Sequence, residues 1–382
     1  MRHFIRRFSA WEVTTGAALA TLGIVIQADV LRRGIQPAGD TRRYTDGAAR
    51  LLDGHLLQGA QWLYPGYIAF VAMVSGIGLG LHAIVAIQAL LLLMVAIALA
   101  DLGRRLSGPV AAAAAAFLWL TAIDFTRYLG WQAYILTDAV YASAVVIVLW
   151  SIHRALENGG RWSIVAAAAA VAAASVRPNG WLLLPVLVTY LTATRWRTRS
   201  GYVLAAALLG LVVVGAELVP GGRLIRGDTA RQLAEGRLFW GHEYDPWQLA
   251  MPATTPGQTA VSYVTSHPLA VARLVLARVL AEAAHIRPAY SSRRNIRFGI
   301  WTATMWVLAV LGVWFHRGGS FIWLAVGIVA AQFFLVAVTF ADIEGRFLVH
   351  VIGPLALLSG LAIGRFANER PKEGLTALPV TG

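Results

Sequence analysis

Long uncharged segments, separated by short polar links, recur along almost the whole chain. A stretch of about 14–20 apolar residues is long enough to cross the roughly 30 Å hydrocarbon core of a bilayer. Ten such windows occur, at 13–28, 83–100, 109–123, 139–152, 163–176, 180–194, 201–216, 298–315, 320–340 and 347–364. The pattern predicts an all-α, polytopic integral membrane protein with about ten transmembrane helices, within a range of nine to eleven.

One further apolar segment, 66–81, differs from the others in its glycine and proline content. It follows Tyr64-Pro65 and contains Gly76, Gly78 and Gly80. We interpret it as a re-entrant or interfacial piece. If it crossed the membrane, every later short loop would change sides, and the arginine pairs would lie outside.

Arginine marks one side of the predicted bundle. The amino terminus and alternate short links carry it, as cytoplasmic loops do under the positive-inside rule. These residues are Arg2, Arg6, Arg7, Arg104, Arg105, Arg154, Arg161, Arg195, Arg197, Arg199, Arg317 and Arg365. The distribution predicts a multi-pass protein of the cytoplasmic (inner) membrane with both termini in the cytoplasm.

We expect a single transmembrane domain over residues 1–365, with a short cytoplasmic tail, 366–382, that is disordered. Two long outer segments, 29–82 and 217–297, interrupt the domain and bear amphipathic helices. Both segments lie on the predicted periplasmic or extracellular side, where we also place the functional site.

Composition excludes several classes of protein. The chain is 58% hydrophobic and only 13% charged, which is about half the charge of a soluble protein. The net charge of +13 could suggest a nucleic-acid partner, but the arginines are spread over loops and form no soluble basic module. No nucleic acid is therefore expected. The absence of cysteine excludes disulfides, thiolate metal sites and cysteine nucleophiles.

Because the spans are nearly free of charge, the few acids at their outer ends are candidate functional groups. Asp40 follows Gly39 at a predicted helix start, so it could cap the helix or act as a general base. Asp138 begins a span, where it could be a cap or a second acidic site. Asp46 and Asp53 are spaced for ion pairs with Arg50.

The larger outer segment offers two sets of candidates. His242 and Glu243 lie in an aromatic, acidic patch that could line a sugar site or anchor the chain at the interface. No second metal ligand stands at a recognised spacing. Residues 269–284 predict a helix lying on the membrane. The arginines that follow it could bind a lipid phosphate or anionic headgroups: Arg287, Arg293 and Arg294.

Several strings, in this order along the chain, resemble the GT-C glycosyltransferases. This superfamily of polyprenyl-phosphate-sugar-dependent membrane enzymes includes protein mannosyltransferases, aminoarabinose transferases and arabinofuranosyltransferases. The strings are Gly39-Asp40-x3-Tyr44-x3-Ala48-x2-Leu51-x2-Gly54, Tyr64-Pro65-Gly66-Tyr67, Leu102-Gly103-Arg104-Arg105, Leu136-Thr137-Asp138, Arg177-Pro178-Asn179-Gly180 and Gly345-Arg346-Phe347 with Pro354.

The resemblance implies transfer of a sugar from a polyprenyl-phosphate-linked donor to an acceptor hydroxyl, with inversion, at the outer membrane face. Asp40 matches the family's first-loop base, and Asp138 its second acidic site. Arg346 becomes a donor-phosphate ligand, with Tyr44 and Tyr64 among the residues that line the substrate. The acceptor is a glycan, lipid or protein. Some members use a divalent cation such as Mg²⁺ or Mn²⁺ and others do not, so metal dependence stays open.

Two other functions fit the same sequence. A transporter or flippase of a lipid-linked saccharide would also span the membrane, but it would place ionisable residues at the midplane. A non-catalytic envelope-assembly protein derived from such an enzyme would retain most of these strings. The concentration of acids at the outer ends favours chemistry at the interface over a path through the bilayer.

Overall fold

The computed structural model describes most of the chain between residues 9 and 368. The described ranges are 9–36, 38–126, 128–158, 161–194, 231, 233–239, 248–255, 258–287, 290–342 and 344–368. The predicted span at 201–216, and both His242 and Glu243, lie outside these ranges.

Helices make up nearly all of the described structure. In chain order they are α1 Ala10–Leu31, α2 Thr41–Leu52, α3 Pro65–Gly76, α4 Gly80–Ser107, α5 Pro109–Leu120, α6 Thr137–Asn158, α7 Arg161–Val176, α8 Leu183–Thr194, α9 Ala260–Ser266, α10 Pro268–Ala284, α11 Ser292–His316, α12 Ser320–Val338 and α13 Arg346–Asn368. Short 3₁₀ turns cover Gly59–Leu63, Ile123–Phe125, Trp131–Ala133 and Pro178–Leu182. The predicted all-α, multi-pass class is confirmed.

The predicted number of ten spans is not confirmed. Among the described residues, six helices are long and apolar enough to cross a membrane: α1, α4, α6, α11, α12 and α13. The window at 109–123 holds the shorter helix α5, because it also includes non-helical residues such as Thr121 and Ala122. The window at 163–176 is helical throughout, but α7 has only 16 residues. At 1.5 Å per residue, the 12-residue helix α5 rises only about 18 Å.

Segment 66–81 contains α3, which is also 12 residues long and too short to cross a bilayer alone. Pro65 starts this helix, where its missing N–H costs no hydrogen bond. Gly78 and Gly80, both with positive φ, turn the chain into α4.

Titratable groups gather at the two ends of the bundle. One end holds Asp40, Asp138 and Arg346, and we call it the Asp40 end. The opposite end is held by ion pairs: Arg105 with Asp101 at 2.8 Å, Arg105 with Glu157 at 2.8 Å and Arg104 with Glu12 at 3.0 Å. Between these ends, the six long helices carry no Asp, Glu, Lys or Arg.

A buried amide fixes the link between α5 and α6 at the Asp40 end. Gln88 on α4 donates to the carbonyl oxygens of Gln132 at 2.9 Å and Tyr134 at 2.8 Å, and accepts from the Tyr67 hydroxyl at 2.9 Å. A buried polar group is stable only when its bonds are satisfied in this way. The network holds the chain immediately before Asp138.

Helix α13 forms the centre of the core, and small residues let its neighbours approach closely. Gly312 on α11 faces the backbone of Leu358, and Gly360 faces Ala111 and Ala115 on α5. Lipid-embedded helices gain stability from such close packing, since burial from water adds little there. The core therefore depends on the absence of Cβ atoms at these contacts.

We predict that Gly312→Ala destabilises the protein. The added Cβ would overlap the carbonyl oxygen of Leu358, and such overpacking costs about 1–3 kcal/mol. Thermal unfolding in detergent should show a lower midpoint. The matched control is Gly16→Ala on α1, where the new methyl meets open space and alanine favours helix. Equal midpoints for the two variants would contradict the packing argument.

Candidate functional site

Asp40 stands at the start of α2, as the sequence predicts, but its carboxylate does not cap the helix. It is the N-cap residue by position, yet its side chain makes no capping hydrogen bond. Instead Oδ1 lies 3.2 Å from Nη1 of Arg43, and Oδ2 lies 3.5 Å from Nη1 of Arg346. The side chain is 30% exposed, so it faces these two guanidiniums at an accessible position.

Arg346 is the first residue of α13 and collects three carboxylates. Besides Asp40, its Nε lies 3.3 Å from Oδ2 of Asp342 and 3.7 Å from Oε2 of Glu344. Its main-chain N–H also donates to Oδ1 of Asp342 at 3.2 Å. Among the described residues, Nη2 makes no hydrogen bond, so one edge of the fork is available to a further anion.

Asp138 forms a second, buried ion pair behind this surface. Its Oδ1 accepts from Nη1 of Arg177 at 2.6 Å and lies 3.2 Å from Nε2 of His350. Arg177 also donates to the Thr137 hydroxyl at 2.8 Å, and its guanidinium lies 5.5 Å from the Phe347 ring. Because Phe347 follows Arg346 in the chain, this pair lies in the neighbourhood of the candidate phosphate ligand.

Three tyrosines form one wall of the site. Tyr44 contacts Tyr64 and Tyr67 edge to face, with ring centroids 5.3 and 4.9 Å away. The Arg43 guanidinium lies 5.6 Å from the Tyr64 ring. Tyr44 is buried, and burial raises the pKa of its hydroxyl above the usual range. Tyr44 and Tyr64 are the two tyrosines predicted from the sequence to line the substrate. Of these, only Tyr64, which is half-buried, reaches the surface.

The predicted arginine cluster after α10 does not act as one unit. Arg287 is fully buried: Nη2 pairs with Oε2 of Glu282 at 3.1 Å, Nε donates to the Asp342 carbonyl at 2.9 Å, and Nη1 bonds the Ala281 carbonyl. Its donors serve the protein interior, which makes it unsuitable as a phosphate ligand. Arg293 is exposed, and Arg294 stacks 3.8 Å from the Tyr290 ring.

Helix α10 is not a simple surface helix. Its polar residues Arg278 and Glu282 point into the protein, while Leu269, Leu276 and Leu280 are exposed. Arg273 on the same helix is exposed, so the charges of α10 divide between the surface and the interior.

The structure thus brings together Asp40, Arg346 and the Tyr44–Tyr64 wall, with the Asp138–Arg177 pair beneath them. It leaves Arg293 and Arg294 apart from this group.

Asp46 and Asp53 do not pair with Arg50, which donates instead to the Leu56 carbonyl at 3.2 Å. Asp124, another acid at this end of the bundle, accepts a hydrogen bond from the Trp131 indole at 3.4 Å.

Sequence reasoning missed two groups. His350 lies four residues after Arg346, and that spacing places both on one face of a helix, a signal that would have found it. Glu282 was hidden because its string, ending in Leu-Ala-Glu-Ala-Ala, is also typical of an exposed helix. The described residues contain no cluster of three or more His, Cys, Asp or Glu side chains suited to a metal ion.

Comparison with known proteins gives one family match. Residues 63–219 match the family model described as dolichyl-phosphate-mannose-protein mannosyltransferase, which is less than half of the chain. The predicted resemblance to GT-C enzymes is confirmed. The matched segment contains Tyr64, Asp138 and Arg177, whereas Asp40 precedes it and Arg346 follows it.

Among solved structures, ArnT from Cupriavidus metallidurans, bound to undecaprenyl phosphate, is similar to this chain. The identity is 17%, the alignment covers 94% of this chain and 79% of that one, and the TM-score is 0.39. Curated protein sequences give no match. The GT-C resemblance therefore stands on the family model and on the strings that this sequence shares with the superfamily.

We predict strong coupling between Asp138 and Arg177. Arg177→Met leaves the Asp138 carboxylate buried without its main partner, which costs about 3–5 kcal/mol of unfolding free energy. In the Asp138→Asn, Arg177→Met double variant the charge is gone, so the loss should be clearly smaller than the sum of the single losses. Denaturant unfolding in detergent micelles measures all four proteins. Additive losses would show that the two charges do not depend on each other.

Proposed function

We propose that this protein is a membrane glycosyltransferase that uses a polyprenyl-phosphate-linked sugar as donor. The observation that carries the proposal is the 3.5 Å contact between Asp40 and Arg346, which brings a candidate base beside a candidate phosphate ligand. These residues are 306 positions apart in the chain. The GT-C family match over residues 63–219 supports the same reaction class.

In the proposed reaction, an acceptor hydroxyl attacks the anomeric carbon of the donor sugar. The bond between that carbon and the phosphate oxygen breaks, and the electron pair leaves with the polyprenyl phosphate. Asp40 takes the hydroxyl proton as the new glycosidic bond forms, and attack opposite the leaving group inverts the anomeric configuration. Arg346 binds the phosphate of the donor and of the leaving lipid alike.

Asp40 is a better candidate for the base than Asp138. The Asp40 side chain is 30% exposed, whereas that of Asp138 is 1% exposed and bonded to Arg177. A general base must come within hydrogen-bond reach of the proton it removes. Asp138 instead supports the site from below, through Arg177 and His350.

The Asp40–Arg346 contact suggests an order of binding. A donor phosphate that bound both the open Nη2 and Nη1 of Arg346 would compete with Asp40 for Nη1. At 3.5 Å this contact is the longer of the two ion pairs that Asp40 makes. Donor binding would then release an oxygen of Asp40 for the acceptor hydroxyl.

We place this reaction at the outer face of the cytoplasmic membrane, with both termini in the cytoplasm. The partners are the lipid-linked donor, a glycan, lipid or protein acceptor, and the bilayer itself. The charge-free middle of the six long helices favours an enzyme over a transporter, because a transport path requires ionisable groups near the midplane.

The Asp40→Asn variant tests the base. We expect sugar transfer to fall by about 10²- to 10⁴-fold, because the amide cannot accept the proton. The assay follows radiolabelled sugar from polyprenyl-phosphate donors into a membrane extract with purified protein. Asp46→Asn, an exposed residue on the same helix, serves as the control and should transfer like wild type. Full activity in Asp40→Asn would exclude Asp40 as the base.

Arg346→Lys tests the phosphate ligand. Lysine retains the charge but loses the planar fork, so we expect a higher donor KM, by about tenfold, for the loss of one charge-assisted bond. Arg42→Lys, an exposed position on α2, is the matched control. A donor KM that stays the same in Arg346→Lys, with wild-type turnover, would remove Arg346 from the donor site.

A further inference from the structure

The loop before α13 is anchored by a single buried carboxylate from α10. Glu282 is 1% exposed and lies in the last turn of that helix. Its Oε1 accepts from the Leu348 main-chain N–H at 2.8 Å, and its Oε2 accepts from the Asp342 N–H at 3.0 Å. The two bonds hold the chain on both sides of Arg346.

Arg287 completes this anchor. Its Nη2 lies 3.1 Å from Oε2 of Glu282, and its Nε donates to the Asp342 carbonyl at 2.9 Å. Glu282 and Arg287 therefore bond both the N–H and the carbonyl of Asp342. A buried carboxylate is stable only when an opposite charge and hydrogen bonds compensate its lost hydration. Glu282 and Arg287 must therefore keep the positions in which these bonds form.

Asp342, which Glu282 and Arg287 hold in place, is itself bonded to residues of the candidate site. Oδ1 of Asp342 accepts from the main-chain N–H of Glu344 at 2.9 Å and of Arg346 at 3.2 Å, and Oδ2 pairs with the Arg346 Nε. Arg346 then reaches Asp40. A continuous series of bonds thus runs from α10 to the guanidinium and to the proposed base.

A close contact at Gly345 also seats the loop on α10. Gly345 has a φ of 77°, and a Cβ there would lie 2.7 Å from Nε2 of His285, the residue that ends α10. Only glycine fits both the conformation and the space. The backbone next to Arg346 is therefore held against the same helix end that carries Glu282.

We propose that Glu282, paired with Arg287, is a positioning residue that aims Arg346 at an anionic lipid phosphate. Glu282 touches no substrate and acts only through the loop of residues 342–348. This inference rests on the proposed function for the identity of the anion. It assigns Arg287, a predicted phosphate ligand, an internal role in place of direct contact.

The test combines binding of a polyprenyl phosphate that carries no sugar with amide hydrogen exchange. Glu282→Gln keeps the size and one acceptor oxygen but removes the charge. We expect its affinity for the polyprenyl phosphate to fall by about tenfold, as for the loss of one charge-assisted bond. Amides of residues 342–348 should exchange faster, while those of α5 keep wild-type protection.

The matched control is Glu157→Gln, which removes an ion-paired carboxylate at the opposite end of the bundle. It should bind the polyprenyl phosphate like wild type. If Glu282→Gln binds as tightly as wild type, or if the 342–348 amides keep their protection, the positioning role is wrong. Equal losses in both Gln variants would also overturn it, because they would reflect general instability.

Sugar transfer measured on the same samples separates this inference from the proposed function. If wild type binds the polyprenyl phosphate but transfers no sugar, the proposed function fails and the binding result still decides the role of Glu282. If wild type is active, Glu282→Gln should raise the donor KM by about tenfold with kcat changed much less, since only Arg346 is misplaced.

Discussion

Arg346 joins parts of the chain that are distant in sequence, and the arrangement of the site depends on how its charge is shared. It contacts Asp40 at the start of α2, and Asp342 and Glu344 from the loop before α13. A single guanidinium surrounded by three carboxylates leaves an excess of negative charge. Arg43, which also pairs with Asp40, reduces that excess on the accessible side.

The second constraint is that charges near a membrane must be compensated locally. At the Asp40 end the enclosed pairs are Asp138 with Arg177 and Glu282 with Arg287. One lies beneath Phe347 and the other fixes Asp342, so Arg346 is supported from two directions. Both buried pairs thus serve as a frame, while the carboxylates of Asp40 and Glu344 stay accessible, with side chains 30% and 59% exposed.

The fold class was predictable from the sequence because long uncharged windows have few structural solutions in a bilayer. The lengths of the helices were not predictable, because an uncharged segment shows where a helix can lie but does not define its ends. Helix α5, for example, ends at Leu120, three residues before the end of its predicted window. The resemblance implied roles for both Asp40 and Arg346, whereas the contact between them comes from the structure. The different roles of Arg287 and Arg346 were not predictable from the sequence. They depend on the orientation of α10, which places Glu282 in the protein interior beside Arg287.

The position of Arg346 at the beginning of α13 has a consequence for anion binding. Helix amino termini usually attract anions through their free N–H groups and the macrodipole. Here the N–H groups of Arg346 and Leu348 already donate to the carboxylates of Asp342 and Glu282. The positive end of this dipole is thus largely neutralised from within. An incoming phosphate would therefore be held by the side-chain fork, which recognises the shape of the anion as well as its charge.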